Sequence, residues 1–291
     1  MNTYSWLIRR EFWENRAIWI VPVVIGIALT LAALFGKVDV GALPPPSEAR
    51  SFGGVVLFLF GVVFFAVMSV YSTWYLLDCL HADRKDRSVL FWKSLPISDT
   101  ATVLAKLLTG LVAIPLVYFV AADVTTLLIA FIVSVRAGAS VAGALWHLDV
   151  WLQLQVLWLY LIVTVAIWYL PFSGWLLVVS AWAKRAVMLW SILLPLGLFL
   201  LERWFFGTHY VGSVLYGRLA GYLPLAFRDN SGEGALASAV VGQDVSHAPQ
   251  SVWQVLDPIA FVSSPSTWIG LALGAALVAV AIQLRLRRTE I

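Results

Sequence analysis

The groups in this sequence that could do chemistry are few and scattered. Its four histidines, His81, His147, His209 and His247, lie far apart. None belongs to an H-E-x-x-H pair, which sets two imidazoles on one helical face for zinc, so a zinc protease is not expected. The one cysteine, Cys79, allows neither an intrachain disulfide nor a cysteine-only metal site. There is no G-x-x-x-x-G-K-[ST] loop to cradle phosphates and no G-x-S-x-G elbow to present a nucleophilic serine. What remains is a handful of polar groups inside apolar runs: Asp123 beside Thr125 and Thr126, then Gln153 and Gln155. An acid within a membrane span is a functional candidate by default, which makes Asp123, Thr126 and Gln153 the candidate lining of a substrate path. Lys106 can snorkel to an interface, and about 20 residues of hydrocarbon counted from it end near Asp123. An outer-interface position is therefore expected for Asp123. Without a clustered acid–base or metal constellation, the chain is read as a non-enzyme with no metal and no cofactor of its own. The rival readings are a membrane enzyme using Asp123, Glu202 or a loop histidine, and a non-transporting membrane scaffold.

The elements that must position these groups follow from composition. Of 291 residues, 61% are hydrophobic and only 12% charged, and the mean hydropathy is +0.89. An ordinary soluble domain has about 45–50% apolar and about 25% charged residues, so lipid must be the solvent for most of this surface. Intrinsic disorder is excluded for the same reason. The net charge of +3 does not imply nucleic acid, because the basic residues form short clusters between apolar runs rather than one patch.

Six apolar runs read as spans: 17–35, 52–77, 100–135, 150–182, 186–201 and 266–284. Pro171 and Gly174 interrupt the fourth, and a kink or broken helix is expected there because no polar turn separates the halves. Segment 202–265 is too polar to span and too apolar for a free linker; it reads as re-entrant or interface-lying short helices plus loop. With six spans, both termini share a side. That side carries 13 of the 19 basic residues, from Arg9, Arg10 and Arg16 to Arg285, Arg287 and Arg288, so the positive-inside rule makes both termini cytoplasmic. The 15 tryptophans read chiefly as interfacial belts. The polar N-terminal stretch contains Glu11 and Glu14 and precedes a full-length span, which argues against a cleaved signal peptide.

Two cytoplasmic segments carry more than topology. In 1–16, Tyr4, Ile8 and Phe12 recur four apart, Trp6 and Trp13 form a second stripe, and arginines lie between; this is the pattern of an amphipathic helix in the headgroup layer. Segment 78–99 is the most charged of the chain. Asp83, Arg84, Lys85, Asp86 and Arg87 precede the apolar Val89–Trp92; Pro96 stops any helix, and Ser98 or Asp99 can cap the next. A purely hydrophilic connector has no use for Phe91 and Trp92. The segment reads as a short helix across the cytoplasmic span ends, with its charges facing a partner.

The pattern Leu7-Ile8-Arg9-Arg10-Glu11-Phe12-Trp13-Glu14-Asn15-Arg16, followed by Asp83-Arg84-Lys85-Asp86-Arg87-Ser88 leading into Phe91-Trp92-Lys93-Ser94-Leu95-Pro96-Ile97-Ser98, resembles ABC-2 type permease subunits of bacterial ABC transporters. The motifs are specific over residues 4–16 and 83–106, and the likeness in topology extends over the whole chain. The resemblance implies an all-α polytopic fold: an N-terminal connecting helix, six transmembrane helices, a cytoplasmic coupling helix within 83–98 and a long outer segment before the last span. It implies ATPase coupling through Glu11, Glu14, Asp83, Arg84, Lys85, Asp86, Arg87, Phe91 and Trp92. The implied partners are a separate cytoplasmic ATP-binding cassette protein, which would hold the ATP and Mg, and a second copy of the chain. The implied activity is export across a bacterial inner membrane.

Overall fold

The computed structural model describes residues 3–36, 49–85, 98–137, 146–228 and 252–287. These residues are almost entirely helical, with one isolated bridge pairing Phe227 and Leu256. Six helices are long and apolar enough to cross a membrane: Ala17–Phe35, Gly54–Lys85, Asp99–Arg136, Leu148–Trp168, Val187–Phe206 and Pro265–Arg287. This is the architecture of a multi-pass membrane protein, all-α as the sequence predicts, and its many exposed apolar side chains suit a surface whose solvent is lipid.

The first helix, α1 (Thr3–Glu14), ends two residues before α2 (Ala17–Phe35) begins. Pro22 sits inside α2, past the first turn, so the Ile18 carbonyl lacks its usual i+4 N–H donor. Next, α3 (Ala49–Lys85) runs unbroken past Leu77, so Asp78 to Lys85 extend a span rather than open a loop. The third span is α4 (Asp99–Leu108), a π turn at Thr109–Ala113 and α5 (Ile114–Ala137). Ser98 caps α4 by accepting from Ala101 N at 3.1 Å, which leaves the Asp99 carboxylate for another partner.

The fourth apolar run folds as α6 (Leu148–Trp168) and α7 (Leu170–Trp182), parted at Tyr169. Pro171 falls in the first turn of α7, where its lack of an N–H is tolerated. Gly174 has a different use. A Cβ there would lie 2.9 Å from Leu277 Cβ and 3.0 Å from the Gly274 carbonyl oxygen, while one at Gly274 would lie 2.9 Å from the Leu170 carbonyl carbon. The two glycines therefore let α7 and α13 (Pro265–Arg287) approach backbone to backbone, as small residues do at membrane helix crossings.

After Ala186, in the left-handed region at φ 52°, the chain turns into α8 (Val187–Leu201), which continues through a π turn at Glu202–Phe206. Within 202–265, the described residues form α9 (Tyr210–Ala220), α10 (Leu223–Ala226), α11 (Val252–Val255) and α12 (Pro258–Ser263). The main core joins α2, α3, α4, α5, α7 and α13 around Ile18, Phe64, Leu76, Val103, Tyr118 and Leu177. A second cluster, at the outer end in the predicted orientation, packs Trp168, Tyr222, Phe227 and Phe261 between α6 and the short helices. Arg218 sews this end together. Its guanidinium stacks 4.5 Å over Trp168 and donates to Ser266 O at 2.6 Å.

Candidate functional site

Two polar constructions stand out against the apolar background. The first lies where α1 meets the ends of α3, α4 and α13. Glu11 and Lys106 are each 2% exposed, and Asp83 and Arg285 6%. They form one chain of alternating sign. Glu14 Oε1 lies 3.2 Å from Arg10 Nε, and Arg10 Nη2 lies 3.0 Å from Glu11 Oε1. Glu11 Oε1 is also 3.0 Å from Lys106 Nζ, which is 3.2 Å from Asp83 Oδ1. Asp83 Oδ2 accepts from Arg285 Nη1 at 2.9 Å, and Arg285 Nε donates to Asp99 Oδ1 at 2.9 Å. Tyr75 closes the set by donating to Glu11 Oε2 at 2.8 Å.

Charges this deep persist only when each meets an opposite charge in good geometry. The network supplies that condition from four helices at once. Glu14, at its exposed end outside the spans, has its carboxyl raised above the ordinary range by partial burial, with Arg10 opposing the shift.

Arg84 is likewise turned inward. It donates to the carbonyl oxygens of Ser180 and Ala183 at 2.5 and 2.9 Å. These are carbonyls left open by the end of α7, where a cation is also favoured by the helix dipole. The Ser180 hydroxyl in turn accepts from Leu80 N and His81 N at 3.1 Å each.

This differs from the sequence-based expectation for the charged segment. Asp83 and Arg84 do not face outward; the continuation of α3 carries them into the helix bundle, where Lys106, Arg285 and the end of α7 compensate them. Lys106 does not snorkel either, being held between Glu11 and Asp83. Lys85 is exposed, and Glu14 is 41% exposed at its side chain. Asp86, Arg87, Phe91 and Trp92 lie outside the described residues, as does most of the predicted coupling helix. The part of Arg285 and Asp99 is what the sequence reasoning missed. In the sequence, Arg285 reads only as a topology signal and Asp99 only as a possible cap.

The second construction is a cleft between α3, α5 and α6. It is a narrow, half-open slot with a cavity volume of about 40 Å³. Its walls are apolar and aromatic, including Phe65, Met68, Trp151 and Trp158. Asp123, Thr126 and Gln155 also line it, and Asp123 Oδ1 accepts from Gln155 Nε2 at 2.7 Å. Thr126 spends its hydroxyl on Ala122 O, at 2.6 Å. Gln153 is half-buried and is not among the lining residues; at i−2 from Gln155 it falls on another face of α6. The structure thus brings Asp123 and Thr126 together and substitutes Gln155 for Gln153.

The level of Asp123 also differs from expectation. A Cβ at Gly26, the midpoint of α2, would lie 2.5 Å from Thr125 Oγ1. Asp123, two residues away, is therefore level with the middle of that span rather than with its end. Counting from Lys106 misplaced it because the third span is 38 residues long, far more than the bilayer needs.

No family model matches the chain, and neither a curated protein nor a solved structure matches it. Among the described residues, no group of three or more His, Cys, Asp or Glu side chains is placed to hold a metal ion.

Proposed function

We propose that this chain is the membrane-spanning permease subunit of an ATP-driven exporter of ABC-2 type, paired with a second copy of itself and with a separate ATP-binding cassette protein. In this reading, the protein resides in a bacterial inner membrane with both termini in the cytoplasm. The partner holds ATP and Mg, and this chain performs no covalent step. Closure of the ATPase dimer displaces α1 and the segment after Lys85, and the spans answer by exchanging inward- and outward-facing arrangements.

The observation that carries the reading is the chain of ion pairs from Glu14 to Asp99. It fastens α1 to the ends of three spans. A helix resting passively on a bilayer has no need of buried charge partners, whereas a helix that delivers force does. The ends joined are those where basic residues concentrate.

The test is to purify the tagged protein from its native membrane and identify what accompanies it. A protein containing a phosphate loop, with ATPase activity that is lost on joint charge reversal of Lys85, Asp86 and Arg87 while the permease stays folded, is the expected result. Absence of any such partner, or full ATPase association in the charge-reversed variant, overturns the proposal.

A further inference from the structure

The cleft between α3, α5 and α6 holds one carboxyl group, that of Asp123. The Asp123 carboxylate is level with the middle of α2, and the hydrogen bond from Gln155 is neutral. Among the described residues, no lysine, arginine or histidine forms an ion pair with it. The same protein pairs its buried carboxylates, Glu11 and Asp83, with cations at 3.0 and 2.9 Å, whereas half-buried Asp123 has none among the described residues. Tyr118 supplies a second sign. It lines the cleft, is 1% exposed, and its buried hydroxyl has no hydrogen-bond partner. Buried hydroxyls ordinarily find partners. An apolar slot with two polar groups left incompletely answered is the form of a ligand site.

We propose that this cleft binds a slender lipophilic ammonium compound, its apolar body in the slot between α3, α5 and α6 and its cationic head against Asp123. The cleft's narrowness selects an extended chain over a bulky ring system. Phe65, Trp151 and Trp158 offer aromatic walls that favour a neighbouring cation. Asp123 supplies the counter-charge, and Tyr118 a second polar contact. The inference goes beyond the transport reading and stands without it, since a ligand can occupy the cleft whether or not it is moved across the membrane.

The experiment uses the full chain in nanodiscs of zwitterionic phosphatidylcholine, which give a cation no anionic lipid to prefer. Binding of radiolabelled decylammonium is measured by scintillation proximity, with protein-free discs subtracted, and 1-decanol serves as the neutral competitor. Saturable binding is expected, with 1-decanol competing at least about tenfold more weakly than unlabelled decylammonium, and Asp123→Asn weakening decylammonium binding by about tenfold or more. Asparagine keeps the shape of the side chain and a hydrogen bond to Gln155, so it removes chiefly the charge. Absence of saturable binding, equal competition by 1-decanol, or unchanged affinity in a folded Asp123→Asn protein overturns the proposal. Should that variant fail to fold, the competition in the unaltered protein decides alone. None of these measurements requires an ATPase, so failure here leaves the permease reading intact, and the reverse holds too.

Discussion

Arg285 donates to Asp83 at 2.9 Å although 202 positions separate the two residues. Neither is a partner of convenience. Asp83 also neutralises Lys106, and Arg285 also holds Asp99, so each is shared between two helices other than its own. Removing either leaves a buried charge half-answered at two places.

Substituting Arg285→Met should therefore cost about 3–5 kcal/mol, the scale on which buried ion pairs fail when one partner is removed. The double variant Asp83→Asn with Arg285→Met should be less damaging than the sum of its parts, because the stranded carboxylate is gone. Cys79 offers the measurement. It is the only cysteine and is buried in the core, so a thiol-reactive dye reports thermal opening of the bundle without an added label. Additive losses in the cycle would count against a shared network.

Tyr75→Phe should cost less. It deletes one hydrogen bond to a charged acceptor and leaves the Glu11–Lys106 pair in place, a loss of about 1.5–3 kcal/mol. The same dye assay reads it, and a loss equal to that of Arg285→Met would show that the hydroxyl does more than serve Glu11.

Arg84→Met should destabilise the fold by uncovering the Ser180 and Ala183 carbonyls, whereas Lys85→Glu, one residue on at an exposed position, should leave stability within about 0.5 kcal/mol. Adjacent charges in one sequence run thus have opposite expected effects. Equal thermal shifts in the two variants would refute the inward placement of Arg84.

Gly274→Ala should weaken the α7–α13 crossing by about 1–3 kcal/mol, because the added methyl meets the Leu170 carbonyl carbon at 2.9 Å and backbone cannot step aside. Gly197→Ala in α8 has nothing within 4 Å and should be neutral or stabilising by about 0.5–1 kcal/mol, the ordinary helix preference for alanine. A melting series of the two variants separates close packing from general loss of glycine.

The spans were legible because lipid imposes one rule on every helix that crosses it, and runs such as Ala17–Phe35 obey it without help from neighbours. The cap at Ser98 was legible for a similar reason, since it depends on residues within one turn. The ion network was not. Glu11, Asp83, Lys106 and Arg285 are each visible as charges near a span end, but their pairing is set by how four helices meet, and no local spacing encodes that. A charge run reads as a solvated surface, and by that rule Asp83 and Arg84 face outward. The signal that points inward is helical register: α3 keeps helical spacing through Arg84, which puts Asp83 seven residues after buried Leu76, and Arg84 seven after buried Leu77 and four after buried Leu80. Gln153 and Gln155 were equally plausible by type, and only the cleft distinguishes them.

The ion network also bears on how the protein is made. Arg285 lies in α13, the last described helix to leave the ribosome, while its acids belong to α3 and to the start of α4. Until α13 is inserted, neither Asp83 nor Asp99 has its hydrogen bond from Arg285. The end of the bundle that grips α1 is thus completed late in synthesis. A chain halted before α13 would lack the guanidinium that ties α3 to the start of α4, and with it one of the fastenings at the end of the bundle that holds α1.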